Sequence, residues 1–400
     1  MNSYKIKDLI SDKISGEWGN EENGSSSVNV LRTTNFTNSG KINYKNVVKR
    51  DIEQALVDKK KLMYGDLIIE KSGGSPTQPV GRVVFFDNPT KDTFLCNNFT
   101  AILRPTTNVF SKYLFYFLFY NHITKKTLKF QNKTTGILNL KLERYLEEKV
   151  SLPPLPKQKR IAEILDKADS IRQKRKESIA LLDEFLRSVF LDMFGDPVRN
   201  EKGWEMKTLR ELSDHIVDCP HSTPIHSSRI TQFPCIRTTE LRNGYIDWSR
   251  MKYVEKEVYD ERTKRLIPKE GDIVFGREGT FGGAVRIPGN TTICLGQRVM
   301  LFRPNKAFVN SIFLWNLIRS KSIFQQATKK STGSTVSHVN VKDIVKFKGI
   351  CPPLNLQAQF AKIVEQVEAT KAKMEESLRE MDNQFNGLLQ RAFGGRNIEN

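Results

Sequence analysis

The sequence predicts an α+β protein: two tandem α/β modules separated by two long helices, the helices packed as an antiparallel coiled coil so that the two halves are related by a pseudo-twofold axis. Three observations predict it. A set of motifs recurs in the same order in both halves of the 400-residue chain. A proline pair opens a long helical stretch twice. The apolar residues on both stretches keep the same three-and-four spacing.

The recurrence runs from end to end. LRTTNF at Leu31 is matched by IRTTEL at Ile236, and YGDLIIEKSGGS at Tyr64 by EGDIVFGREGTFGG at Glu270. TTG ending at Gly136 is matched by STG ending at Gly333. The prolines Pro153 and Pro352 lie 199 residues apart (352 less 153). Chance matches would not keep their order, so the chain is a tandem duplication with small insertions. The organisation is a first module over 1–152, a helical region over 153–195, a second module over 196–351 and a second helical region over 352–400.

Within each module, VGRVVFF at Val80 and GDIVFG at Gly271 are β-branched and aromatic runs bounded by Gly and Pro, and read as strands. YLFYFLFYNHI and IFLWNLIRS read as short buried helices. Proline is tolerated in the first turn of a helix and not inside it, so each PPL marks a helix start. Phe194-Gly195-Asp196-Pro197 and Phe393-Gly394-Gly395 mark the ends.

In the second helix Phe360, Val364, Val367, Met374, Leu378, Met381, Phe385 and Leu388 alternate steps of four and three, with Lys371 as the one break. Their counterparts in the first helix are Ile161, Leu165, Ala168, Arg175, Ile179, Leu182, Leu186 and Val189, with Arg172 at the same break. Such a narrow seam is that of a coiled coil and demands a helical partner; Ile161, Leu165, Leu182, Leu186, Val364, Val367, Leu378 and Phe385 are its expected packing residues. Thirty-odd helical residues make a rod of about 50 Å. If the two helices pair with each other, they hold two similar modules apart at a fixed distance.

Charge points to the partner. Sixty-four basic residues against 45 acidic give a formal net charge of +19, which favours a polyanion, nucleic acid before an anionic membrane. The apolar run Tyr113–Tyr120 is far short of the ~20 residues that span a bilayer, and MNSYKIKDLISDKIS lacks the apolar core of a signal peptide. No membrane is expected, and the expected location is the cytoplasm. Five scattered cysteines without a C-x-x-C fit reduced thiols. Paired readers bind DNA half-sites about one helical turn or a multiple apart; two weakly similar modules on a rod would read an asymmetric split target.

PPLPKQKRIAEILDKAD with LLDEFLRSVFLDMFGDP, and PPLNLQAQFAKIVEQVE, resemble the central and C-terminal conserved regions of the specificity subunits of type I restriction–modification systems. GDIVFGREGTFGG and Cys219-Pro220-His221-Ser222-Thr223-Pro224 resemble stretches of that family's target-recognition domains. The family's usual P-L-x-E-Q is Pro-Leu-Pro-Lys-Gln at Pro154 and Pro-Leu-Asn-Leu-Gln at Pro353, so its Glu is missing from both copies. The resemblance covers nearly the whole chain. It implies two target-recognition domains, each reading half of a split double-stranded DNA site with a fixed spacer. It also implies no catalysis by this chain, two adenine methyltransferase subunits bound largely through the helices, and motor-nuclease subunits added for restriction. S-adenosylmethionine, ATP and Mg2+ would serve those partners, and this chain would bind no cofactor.

The residues agree with a chain that does not catalyse. Asp87-Asn88-Pro89-Thr90 lacks the second proline and the aromatic of an adenine methyltransferase pocket. Glu147-Glu148-Lys149 has the letters of a nuclease E-x-K but lies in a charged, helix-like run that reads as a solvated face. Gly276–Gly283 has no Gly-Lys-Ser/Thr and reads as a turn rather than a phosphate loop. His215, Cys219, His221, His226 and Cys235 match no zinc-finger spacing, so no metal is expected. The rival reading is a non-catalytic basic coiled-coil scaffold that binds nucleic acid without sequence preference.

Base edges in the major groove are read best by Arg, Lys, Asn and Gln. The loops after the repeated strands offer Arg32, Thr34, Asn35, Lys71, Gln78 and Arg82 in the first module. They offer Arg237, Thr239, Glu240, Arg277, Gln297 and Arg298 in the second. An Arg-Thr-Thr common to both modules also suits a structural or phosphate-binding role. Lys129, Lys133, Lys329 and Lys330, before the Thr-Gly turns, are the phosphate candidates. The basic residues Lys157, Lys159, Arg160, Lys174, Arg175 and Lys176 on the first helix suit DNA phosphates, a partner surface or a solvated face equally.

Overall fold

The computed structural model describes residues 2–22, 27–75, 77–88, 90, 92–134, 137–242, 244–277, 282–330 and 339–394. The Thr-Gly turns at 134–136 and 331–333, and the middle of the glycine-rich stretch at 278–281, therefore fall wholly or partly outside the described residues. The chain forms two compact units, one of Met1–Lys176 with Glu376–Asn400, the other of Glu177–Glu375.

In the first unit, strands Ile10–Ser15, Thr100–Pro105, Leu67–Glu70 and Val83–Phe85 lie side by side in that order, all antiparallel. A three-stranded sheet places Ser27–Leu31 between Val48–Asp51, antiparallel, and Phe94–Cys96, parallel. The strand of Lys149–Leu152 returns to pair with Asn2–Lys5. The apolar helix Ser111–Ile123 lies in the core, its Tyr113, Leu114 and Leu118 buried against Leu67, Val83 and Leu103.

The second unit repeats these three sheets; among the described residues the first adds a sheet of Gln131–Thr134, Ile137–Leu140 and Ser72–Gly74, and the second a hairpin of Leu241–Arg242 and Tyr245–Ile246. Ser213–Asp218, Val299–Pro304, Ile273–Gly276 and Ala284–Arg286 form the same four-stranded order. Pro234–Ile236 again sits between an antiparallel and a parallel neighbour, Lys252–Tyr253 and Cys294–Leu295. Met206–Thr208 pairs with Lys348–Ile350 as the closing strands do in the first unit. The apolar helix is Ser311–Ile318. Both predicted buried helices are present. The parallel pairing in each module joins strands far apart in sequence.

One buried ion pair also recurs. Arg104 grips Asp66 through Nε and Nη2, each at 2.9 Å, and Arg303 grips Asp272 at 3.0 and 2.7 Å. Each aspartate also accepts a backbone N–H, from Met63 or Lys269. Each arginine also donates to the carbonyl of Lys61 or Ile267. With three donors around a carboxylate that is 2–3 % exposed, the pair is satisfied on every side.

The long helices run over Leu155–Phe194 and Leu354–Phe393. The chain turns out of the first at Gly195, whose φ of +75° suits glycine, and the Gly195 N–H closes on the Leu191 carbonyl. Each unit takes a segment from both. In the second unit Phe190 and Phe194 pack on Phe360, ring centroids 5.5 and 5.4 Å apart, while Asp183 reaches Lys371. Rising numbers on one helix meet falling numbers on the other, so the segments are antiparallel. In the first unit Leu165 and partly buried Ile161 share a core with Phe385 and Leu389, and Leu378 is half-buried. In the second, Val364 is buried with half-buried Leu186 in the core, Val367 is 9 % exposed and Leu182 half-buried.

Candidate DNA-recognition surfaces

The Arg-Thr-Thr turns are built by a local hydrogen bond. The backbone N–H of Arg32 donates to Asn35 Oδ1 at 2.8 Å, and that of Arg237 to Glu240 Oε2 at 2.7 Å. A short 3-10 turn, Thr33–Asn35 or Thr238–Glu240, follows each time. Asn35 is 2 % exposed and also donates to the carbonyls of Asn43 and Asn46; Glu240 is fully buried and holds the Arg237 guanidinium at 2.6 Å. Both side chains therefore face inward and build the turn. Thr34 and Thr239 stand exposed at its crest. Arg32, half-buried, sends Nη2 to the Asn46 carbonyl.

In the first unit Arg82 is 8 % exposed. Its guanidinium forks onto Glu70 at 2.9 Å twice and reaches the carbonyls of Thr33 and Phe36 at 3.1 Å. It ties the four-stranded sheet to the Arg-Thr-Thr turn. Lys71 Nζ donates to Ser15 Oγ at 2.6 Å, and burial holds its ammonium below the usual lysine pKa. Gln78 is exposed in the tight turn whose backbone closes on Ser75.

In the second unit four candidates converge. The Gly296 N–H bonds the Ile236 carbonyl at 2.6 Å, which brings the loop carrying Gln297 and Arg298 against the Arg237 turn. A Cβ on Gly296 would lie 2.4 Å from Arg237 Cγ, so a side chain here would displace Arg237. Arg277 N–H reaches the Arg298 carbonyl at 3.1 Å, and its buried guanidinium holds Asp218 at 3.0 Å. Gln297 Nε2 donates to Thr223 Oγ1 at 2.7 Å, and Arg298 is exposed at φ +62°.

The matching loop of the first unit went unread in the sequence. Asn97 N–H bonds the Leu31 carbonyl and Lys71 N–H the Phe99 carbonyl, the same two links. Asn98 and Phe99 therefore stand where Gln297 and Arg298 stand in the second unit, both exposed. The repeat offsets could have found them. Three further residues were missed. Gln158 and Gln357 clamp each helix start, the first accepting from Phe110 N–H and donating to the Pro153 carbonyl, the second accepting from Asn310 N–H and donating to Pro352. Arg262, 6 % exposed, donates to the carbonyls of Pro220, Ser222, Leu295 and Gly296 and so fixes the Cys-Pro-His-Ser-Thr stretch.

Among the phosphate candidates, Lys129 pairs with Glu148 at 2.8 Å yet stays more than half exposed, and Lys329 is exposed. The side chains of Lys133 and Lys330 lie outside the described residues. Glu147 is an exposed residue bridged to Lys5 and Lys7. Among the described residues no three His, Cys, Asp or Glu side chains converge as metal ligands, and the cysteines are free thiols. No helix among them is long and apolar enough to cross a membrane.

Two mixed domains of one strand plan, each bearing exposed polar loops and each seated on antiparallel helical segments, in a chain of net charge +19, define a protein class that reads nucleic acid through repeated modules. The chain belongs to the family of the type I restriction modification DNA specificity domain, whose model matches twice, over residues 2–181 and 201–381. It is a type I restriction–modification specificity subunit with two DNA-recognition domains. It is 24 % identical over 295 residues to the specificity subunit of the type I restriction enzyme MjaVIII of Methanocaldococcus jannaschii, covering 69 % of this chain and 68 % of that one. It is 22 % identical over 379 residues to the EcoKI specificity subunit of Escherichia coli K12, covering 84 % and 76 %. Its fold resembles the S subunit of a type I restriction-modification system from M. genitalium, with a TM-score of 0.54 at 15 % identity over 99 % of this chain and 96 % of that one. A chain from a structural study of type I R-M assembly and conformational transition matches at TM-score 0.56, also at 15 % identity, over 98 % and 97 %.

Proposed function

We propose that this chain directs adenine methylation, and restriction, to an asymmetric bipartite DNA site with a spacer of fixed length. The observation that carries the reading is a common frame with different tips. The strand order, the Arg–Asp pair and the Gln clamp recur, whereas Asn98-Phe99 in one unit stands for Gln297-Arg298 in the other. Domains alike in frame and unlike at the exposed loop would read unlike half-sites. Thr34, Asn98, Thr239, Arg298 and half-buried Gln297 are the base-edge readers this favours, because they reach the surface whereas Asn35, Arg82, Glu240 and Arg277 are buried. Lys129 and Lys329 suit phosphates.

The chain itself would be non-catalytic and bind no cofactor. Two methyltransferase subunits would bring S-adenosylmethionine, motor-nuclease subunits would use ATP and Mg2+, and the complex would act in the cytoplasm. The test is a base-resolution adenine methylome of the host with and without the gene. Loss of one asymmetric, gapped motif is the expected outcome. An unchanged methylome, with only salt-sensitive, sequence-indifferent binding of duplexes, would leave a non-specific scaffold.

A further inference from the structure

Ile225 and Ile230 are each 81 % exposed, the most exposed large apolar side chains among the described residues. One exposed isoleucine is unremarkable. Two on one loop that is tied down along its length call for a cause. The loop of residues 219–233 is held by Arg262 at the Pro220 and Ser222 carbonyls, by Gln297 at Thr223, and by Ser227 N–H on the Tyr253 carbonyl at 2.8 Å. Thr231 Oγ1 closes its far end on the Val254 carbonyl at 2.6 Å. The isoleucines are thus presented, and their backbone has little freedom to fold them inward.

The surroundings select the occupant. Gln297 joins this loop to the exposed Arg298, and Arg229, next to Ile230, is exposed and shares Glu255 with Ser227 at 3.4 and 2.9 Å. His226, beside Ile225, is held below its usual pKa by burial and by the positive charges of Arg237 and Lys252. An apolar tip flanked by the basic side chains of Arg229 and Arg298, in a chain of net charge +19, suits a polyanion with an apolar group on its surface. In the grooves of B-DNA the apolar group on a base edge is the thymine C5-methyl.

We infer that Ile225 and Ile230 pack on thymine methyl groups in the major groove of the half-site that the second unit reads. The inference rests on the reading above and names further specificity residues within it. It is confined to one half-site, because the corresponding stretch of the first unit, Gly16-Glu17-Trp18-Gly19-Asn20-Glu21-Glu22-Asn23-Gly24-Ser25-Ser26, contains no aliphatic residue beyond glycine.

The experiment uses the full complex and duplexes carrying its site, with each thymine replaced in turn by uracil, which lacks only the methyl. The expected result is a roughly fourfold loss per buried methyl, confined to one half-site. Ile225→Ala with Ile230→Ala should bind the thymine duplex more weakly and lose the distinction from uracil. Indifference of the native complex to every replacement, or a thymine preference that survives the double substitution, overturns the inference while specific binding stands. No preference for the site over a scrambled duplex overturns the underlying reading and the inference together.

Discussion

Arg172 and Lys371 occupy the same step of the repeat, and each meets an aspartate at the matching step of the other helix. Arg172 Nη2 lies 2.6 Å from Asp382 Oδ1, and Lys371 Nζ 2.7 Å from Asp183 Oδ1. Each cation also lies over an aromatic ring, Phe385 at 4.2 Å and Tyr245 at 4.7 Å. The break in each apolar seam is therefore a cross-helix ion pair. A polar pair in a coiled-coil seam fixes register, because sliding the helices would leave a desolvated charge without its partner.

Asp183→Ala should cost about 1–2 kcal/mol, a value discounted because the carboxylate is half-exposed while the lysine is 9 % exposed. The charge swap Asp183→Lys with Lys371→Asp should recover most of it. Replacing both ion pairs with leucines should hold or raise stability and broaden the set of spacer lengths in the methylome. Denaturant titration and motif analysis would check the two halves of this expectation.

The glutamine clamps make a sharper stability prediction. Gln158 is 1 % exposed and Gln357 fully buried, each accepting one backbone N–H and donating to carbonyl oxygen. Gln158→Leu or Gln357→Leu strands those groups and should cost about 2–3 kcal/mol. Gln158→Glu should be no better, because a carboxylate cannot donate to the Pro153 carbonyl. Urea midpoints of the single variants would show it.

His122 sets a pH dependence. Burial, with a contribution from Arg82, lowers its pKa from 6.5 to about 4. Between those values the unfolded chain takes up a proton that the folded chain refuses. Its contribution to stability is therefore complete above pH ~6.5 and is lost as pH falls toward 4, with about 2 kcal/mol gone by pH ~5. His122→Gln should flatten that part of the profile, read as the difference in melting temperature between pH 7 and 5.

A four-residue insertion near Asp192 should lengthen the gap between half-sites and leave both unchanged. Four helical residues add about 6 Å, roughly two base-pair steps. An unchanged gap in the variant's methylome would refute the helices as the ruler.

Much of this architecture is written in local pattern. The three-and-four spacing from Ile161 to Val189 exposes both helices, and motif order exposes the duplication. What the ion pairs do is not local: Arg172 and Lys371 appear in sequence only as faults in a seam, since their aspartates lie about 190 to 210 residues away. The candidate readers show the same limit. Residue type singles out Asn35, Arg82 and Glu240, but Asn35 and Arg82 donate to backbone carbonyls or a carboxylate that the fold brings up, and the Glu240 carboxylate accepts from Arg237. Phe99 escapes a search for hydrogen-bonding side chains and is found by its backbone link to Lys71.

The first unit is closed by the far end of the chain. Phe393 packs on Tyr113 with ring centroids 5.2 Å apart, and Phe385 and Leu389 complete the core around Leu165. During synthesis, the amino-terminal domain must therefore wait for some two hundred further residues before its core can close. At ~5–20 residues per second that interval is roughly 10–40 s. The second unit draws on Glu177–Glu375 and has all its parts first. The order of completion on the ribosome thus runs opposite to the order of the domains in the gene.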